Sequence, residues 1–169
     1  VLFLQVKQPE HSEYLSYYYK CMRNMIGAQT LMRFAQRRAG YAIAQKTLTV
    51  AEKYQFTDIC LNLAVMLRDS AAIWNKRTTF MHHHRDVVKY MGALKCEYDS
   101  EFLLDHIRLE MGITSRKRPY LIDLHQDAMV KIEGMLDEHD THLLRLNAFR
   151  AAVNYHDFIE DFSGVIDQC

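Results

Sequence analysis

The chain has 169 residues, of which 49% are hydrophobic, so it is long enough for one packed domain and too apolar for a disordered segment. Its 21 Lys and Arg balance 21 Asp and Glu, which argues against the broadly basic face that binds nucleic acid or an anionic membrane surface. Because only six Gly and two Pro occur, fewer than an all-β domain needs for its turns, we predict one all-α domain over residues 1–169.

The first predicted helix begins at Pro9 and extends to about Arg38. Proline suits the first turn of a helix, where its missing N–H group is not needed. The apolar residues that follow recur every three or four positions, the spacing of one helix face; they are Tyr14, Tyr18, Met22 and Met25. Gly40 is interpreted as the break before the second helix.

A second and a third helix are predicted to form a hairpin. The second helix follows Gly40 and ends near Tyr54, and residues 55–56 make a very short connection. Thr57 is a candidate N-cap for the third helix. Residues 59–67 are apolar almost all round, which is typical of a buried helix, so we expect the third helix at the centre of the structure.

The most periodic segment of the chain predicts one long helix near residues 77–110, which no proline interrupts. Apolar residues and one histidine alternate in steps of four and three, the spacing of a heptad seam. The members of this seam are Phe80, His84, Val87, Met91, Leu94 and Tyr98. We expect neighbouring helices of the same chain to cover it.

Two more helices are predicted after Gly112, which suits the C-terminal end of the long helix. One lies near residues 122–137, and the last follows Thr141 as its N-cap. Because the links between helices are short, consecutive helices must be antiparallel. The chain is therefore predicted to be a series of helical hairpins.

Residues 44–69, AQKTLTVAEKYQFTDICLNLAVMLRD, resemble a tetratricopeptide-type (TPR-like) hairpin. One amphipathic helix ends in Ala-Glu-Lys-Tyr, a two-residue turn follows, and a second helix returns with small and aliphatic residues. The resemblance implies a right-handed α-solenoid of stacked hairpins that binds a protein or a peptide. It is similar to bacterial helical-repeat proteins in which such a hairpin precedes a long helix.

A candidate binding groove lies between the predicted hairpin of residues 41–72 and the long helix of residues 77–110. Stacked helical hairpins form grooved surfaces that accept helices or extended peptides. The side chains that we predict to contact a partner are Tyr41, Gln45, Arg68, Trp74, Arg77 and His83. The partner is expected to be another protein, a peptide or another domain of the same chain.

The four cysteines are widely spaced and form no Cys-x-x-Cys pair; they are Cys21, Cys60, Cys96 and Cys169. This pattern favours free thiols in a reducing compartment, so we predict a cytoplasmic protein. No apolar run approaches the roughly 20 residues that span a bilayer. The absence of an initiator Met and the stop at Cys169 suggest a fragment of a longer chain.

No catalytic signature, cofactor motif or metal-ligand set is recognised, so neither an enzyme nor a bound cofactor or metal is predicted. Residues 82–84 are three successive histidines, which point about 100° apart on a helix and cannot converge on one ion. Residues 138–142 form a second polar cluster, Glu-His-Asp-Thr-His, which we assign to the connection between the last two helices.

The leading hypothesis is a non-catalytic helical scaffold, and two alternatives stay open. Helical HEPN-type ribonucleases carry an Arg followed after four to six residues by a His, a pair that can stabilise phosphate charge and move a proton. Arg77 with His82, and Arg150 with His156, fit that spacing. The third hypothesis is a homo-oligomerisation module, in which the heptad seam pairs with a second copy of the chain.

Overall fold

The computed structural model describes residues 9–34, 36–113 and 118–166, and this part of the chain is all-α, with six helices and no strand. The all-α prediction is therefore confirmed for these residues, while Cys169 lies outside them. The helices are α1 (Pro9–Arg33), α2 (Arg37–Lys53), α3 (Thr57–Ile73), α4 (Arg77–Gly112), α5 (Arg118–Glu138) and α6 (His142–Ile166).

The contacts divide the chain into two compact units, Val1–Met91 (unit 1) and Gly92–Cys169 (unit 2). Unit 1 contains α1, α2, α3 and the first part of α4. Unit 2 contains the rest of α4 together with α5 and α6. Each unit has its own buried core.

The boundary between the first two helices differs from the prediction. α1 ends at Arg33 and does not reach Arg38, and α2 already begins at Arg37. Gly40 is buried inside α2, where a Cβ atom would lie 2.7 Å from the backbone oxygen of Ala28. This glycine allows α1 and α2 to approach closely. The predicted break is wrong because a glycine marks close backbone approach as well as a helix end.

The turns that end α2 and α3 share one backbone conformation. Gln55 and Asn75 have φ angles of 56° and 55°, in the left-handed region that few residues other than glycine adopt. In each turn the following N–H group donates to the carbonyl five residues earlier; the pairs are Phe56 to Ala51 and Lys76 to Ala71, both at 2.9 Å. This bond is the mark of a Schellman turn, which reverses the chain within a few residues.

α3 forms the centre of unit 1, which confirms the expectation for a helix that is apolar almost all round. It packs against both α1 and α2. Its largest fully buried side chains are Ile59, Leu63 and Leu67. Burial of a Leu or Ile side chain contributes about 1.5–3 kcal/mol, so these three residues are a major part of the stability of unit 1.

Aromatic side chains join the start of α1 to the turn between α2 and α3. The Tyr17 and Tyr54 rings stack with centroids 4.4 Å apart, and Tyr14 meets Phe56 edge to face at 4.9 Å. Such pairs contribute about 0.5–1.5 kcal/mol each beyond the area that they bury. The N-terminal tyrosines therefore close one end of the unit 1 core.

The core of unit 2 combines aliphatic and polar side chains. Leu104, Ile132 and Ala151, from α4, α5 and α6, form one buried cluster. Asn147 and Ser100 are buried completely, and the Asn147 Nδ2 group donates to Ser100 Oγ at 2.8 Å. This bond satisfies two polar groups whose burial is costly when they are unpaired.

The predicted heptad seam does not coincide with the buried face of α4. Within the seam Val87 is buried, but His84, Met91 and Tyr98 are exposed, so the expectation that neighbouring helices cover the seam is wrong for them. The buried side chains follow a stripe that shares only Val87 with the seam: His83, Val87 and Tyr90 in unit 1, and Glu97, Ser100 and Leu104 in unit 2. Hydrophobic periodicity misses this stripe because half of it is polar and buried with hydrogen-bond partners.

Candidate functional site

Three of the side chains predicted to contact a partner lie together in unit 1. Tyr41, on α2, has its ring centroid 5.1 Å from that of Trp74 and 6.3 Å from that of His83. The Tyr41 Oη and His83 Nε2 atoms are 3.2 Å apart. These contacts connect α2 to the turn after α3 and to the second turn of α4.

The His83 ring is held from both sides. Its side chain is buried, and Nδ1 lies 3.3 Å from Oδ2 of Asp86, one turn further along α4. A carboxylate only accepts, so the ring proton on Nδ1 faces Asp86, and in the neutral ring Nε2 accepts from the Tyr41 hydroxyl. Burial raises the pKa of Tyr41, which keeps that hydroxyl protonated and able to donate.

Asp86 also brings His82 into this cluster. The His82 Nε2 and Asp86 Oδ2 atoms are 3.8 Å apart, and donor atoms of His82, His83 and Asp86 lie within 4.8 Å of one another. Sequence reasoning missed Asp86, although its spacing of three and four residues from the two histidines was the available signal. Both nitrogens of His83 already have partners here, so the arrangement favours a hydrogen-bonded link over an ion site.

A groove opens beside this cluster, at the junction of α3 and α4. It has a volume of about 290 Å³ and is lined by Ala71, Ala72, Asn75, Lys76, Arg77 and Phe80. The alanines and Phe80 give it an apolar wall, and the Schellman turn at Asn75 forms one end.

The groove has positive charge at its rim and no acidic residue in its lining. Lys76 and Arg77 are both exposed, and the Lys76 ammonium lies 5.4 Å from the centroid of the Trp74 ring. The first turn of α4 also starts here and contains no acidic residue. The N-terminal end of a helix carries partial positive charge and free N–H donors, so three features favour an anion at the same place.

Arg77 is the one predicted contact residue that lines this groove. Gln45 is exposed on α2, and Arg68 forms an ion pair with its neighbour Asp69 at 2.8 Å. Sequence reasoning missed Asn75, Lys76 and Phe80, as well as the alanines. The Asn-Lys pair after a helical pattern was a usable signal for Asn75, since Asn is the commonest residue after Gly in a left-handed helix end.

The Arg–His pairs of the ribonuclease alternative lie on the surfaces of two different helices. Arg77 and His82 are both exposed on α4, and Arg150 and His156 are both exposed on α6. At about 100° per residue, the members of the two pairs point about 140° and 120° apart around their helices. Neither pair shares a hydrogen bond among the bonds formed by the described residues.

Comparison of the chain with protein-family models, with curated proteins and with solved structures finds no match in any of the three. Within the described ranges, no helix has both the length and the apolar content needed to cross a membrane.

Proposed function

We propose that the chain is a TPR-like helical scaffold that binds an acidic segment of a partner protein in the groove at the α3–α4 junction. The observation that carries this proposal is the charge of that groove. Lys76, Arg77 and the first turn of α4 present positive charge around an apolar wall, and no acidic side chain of the lining offsets it. The proposed activity is recognition and involves no chemical step.

The hairpin architecture supports a scaffold. α2 and α3 have 17 residues each and end in the same Schellman turn, so residues 37–56 and 57–76 are two successive helix-plus-turn segments. Three residues of the first segment have a similar residue 20 positions later in the second: Ala44 and Ala64, Ala51 and Ala71, and Tyr54 and Trp74. Repetition of a small helix-plus-turn unit is the basis of solenoid surfaces.

The chemistry of the groove defines the ligand. A guanidinium such as that of Arg77 binds a carboxylate through two parallel hydrogen bonds, and Lys76 adds a point charge beside it. Phe80 and the alanines accept an aliphatic side chain next to the acid. We therefore expect a segment with two or more Asp or Glu residues flanking one aliphatic residue.

Trp74 offers a direct test because it is the single tryptophan of the chain and lies beside Lys76. We would titrate the full chain with the peptides acetyl-EELEE-amide and acetyl-KKLKK-amide and follow Trp74 fluorescence. The acidic peptide should bind, and Arg77→Ala should weaken its binding about tenfold or more, since a charged hydrogen bond contributes about 1.5–3 kcal/mol.

The matched control is Arg85→Ala, which removes an exposed arginine from the same helix outside the groove. It should leave the affinity for the acidic peptide unchanged. Equal binding of the two peptides, or equal loss in the Arg77 and Arg85 variants, would contradict the proposed site.

Self-association is a second candidate function, and the exposed side chains of α4 in unit 2 favour it. Tyr98, Phe102 and Leu109 are 63%, 67% and 64% exposed. Their spacing of four and seven residues places them on one stripe of the helix. Large apolar side chains aligned on a surface are typical of a protein–protein contact, and pairing with a second copy would cover them.

A further inference from the structure

Unit 2 brings together three side chains of the types that bind zinc. Cys96 lies on α4, Glu138 is the last residue of α5, and His139 follows in the connection to α6. The thiol sulfur, one carboxylate oxygen and one imidazole nitrogen all lie within 4.8 Å of one another. Cysteine, histidine and glutamate are the usual protein ligands of Zn²⁺.

Gly92 makes room for the histidine of this cluster. It precedes Cys96 by one turn of α4, and a Cβ atom at Gly92 would lie 2.7 Å from His139 Nε2 and 3.1 Å from Cε1. Any side chain at this position would push the imidazole away from where it lies. The close approach of ring and backbone is therefore a second, independent feature that holds His139 beside Cys96.

The polar atoms of the three side chains are not engaged in other bonds that the described residues form. Among the bonds of the described residues, none of the three forms a side-chain hydrogen bond or an ion pair, and His139 is fixed by its backbone N–H, which donates to Met135 at 2.9 Å. Cys96 is buried beside the Glu138 carboxylate. A divalent cation would attract the carboxylate and the thiolate together.

We propose that Cys96, Glu138 and His139 bind one Zn²⁺ ion and leave its fourth position open. Tetrahedral coordination with bonds of 2.0–2.3 Å puts the donor atoms about 3.3–3.8 Å apart, and since they already lie within 4.8 Å of one another, closure by at most about 1.5 Å through rotamer adjustment is enough. Bound zinc would tie the α5–α6 connection to α4. The site lies in unit 2 and the peptide groove in unit 1, so it stands or falls independently of the proposed function.

The test is titration of the full chain with Co²⁺ under reducing conditions, followed by Zn²⁺. One Co²⁺ per chain should bind and produce both a sulfur-to-cobalt charge-transfer band and the visible bands of tetrahedral cobalt, and Zn²⁺ should abolish them. Cys96→Ser should remove the charge-transfer band. Cys60→Ser, at a buried cysteine of unit 1, is the matched control and should retain it.

Gly92→Ala provides a variant that keeps all three ligands. It should weaken Co²⁺ binding about tenfold or more, since loss of a group that orients a ligand typically costs 10–100-fold in affinity. Glu138→Gln, at an exposed position, should also weaken binding without disturbing the core. A charge-transfer band that survives in Cys96→Ser, or an affinity that is the same in wild type, Gly92→Ala and Glu138→Gln, would overturn the proposal.

Discussion

At the scale of single residues, the left-handed conformation of Asn75 is the clearest case of a backbone requirement. Asparagine tolerates this region better than other residues with a side chain, and glycine adopts it without cost. Asn75 has a φ of 55° and ends α3. The residue type at this one position therefore affects the stability of the turn between α3 and α4.

We expect Asn75→Ala to lower the free energy of unfolding by about 1 kcal/mol relative to Asn75→Gly, because both remove the same side chain but only alanine is strained at positive φ. Urea denaturation of the two variants measures the difference. The same pair of substitutions at Asn62, inside α3, is the control. Alanine favours a helix more than glycine does, so the difference in the free energy of unfolding between the two variants should have the opposite sign at Asn62 and should favour Asn62→Ala. Equal stability of the alanine and glycine variants at residue 75 would contradict the assigned backbone.

Tyr18 gives a pH-dependent prediction. Burial, together with the hydrogen bond that its hydroxyl donates to Asp58 at 2.8 Å, raises the pKa of Tyr18 to about 12. The unfolded chain loses this proton near pH 10, whereas the folded chain keeps it. The stabilisation by Tyr18 is therefore complete below pH 10 and is lost as the pH rises toward 12.

The measurement is urea unfolding of wild type and Tyr18→Phe between pH 8 and 11. Wild type should be more stable by about 1 kcal/mol at pH 8, and this advantage should shrink steadily above pH 10. Tyr19→Phe removes a hydroxyl from a side chain that is 65% exposed and should leave stability within about 0.5 kcal/mol. An advantage of wild type over Tyr18→Phe that grows with pH would refute the assignment.

At the scale of helices and turns, the sequence predicts the type of element better than its ends. Thr141 was predicted to cap the last helix, and its Oγ1 accepts from the Leu144 N–H at 3.3 Å, which confirms the prediction. Thr57 was predicted to play the same role, but it is the first residue of α3, and Phe56 is the N-cap residue, without a side-chain bond. The Schellman turn already fixes the entry to α3, so no capping side chain is needed there.

The candidate sites were harder to predict because they depend on contacts between distant residues. The Glu138–His139 pair is visible in the sequence, but nothing local shows that Cys96 lies next to it. Likewise, the three-residue spacing of His83 and Asp86 predicts that they are neighbours on one helix, whereas nothing in the sequence predicts the contact of His83 with Tyr41. Periodicity identifies faces of helices, and only packing decides which faces meet.

The exposed stripe of α4 leads to a prediction about association. If self-association is the function, wild type should show a concentration-dependent increase in mass by sedimentation or light scattering. The double variant Tyr98→Glu/Phe102→Glu should abolish this increase, since it places charge in the apolar contact. Glu133→Lys, at an exposed residue of α5 outside this stripe, is the control for a general effect of charge. A mass that is independent of concentration in wild type would exclude this candidate.

At the scale of the whole molecule, the zero net charge conceals a local imbalance. The sequence offers 21 cations and 21 anions, which argues against a large charged partner surface. In the structure many of these charges pair along one helix, such as Lys95 with Asp99 and Lys131 with Asp127, both at 2.6 Å. The lining of the groove has cations and no acid, so a chain with zero net charge still presents a locally positive surface.

If charge at the α3–α4 junction selects an acidic segment, reversing that charge should reverse the selection. We would measure the affinities of acetyl-EELEE-amide and acetyl-KKLKK-amide for wild type and for Lys76→Glu/Arg77→Glu by isothermal titration calorimetry. We expect wild type to prefer the acidic peptide and the double variant to prefer the basic one. An unchanged preference in the double variant would contradict it.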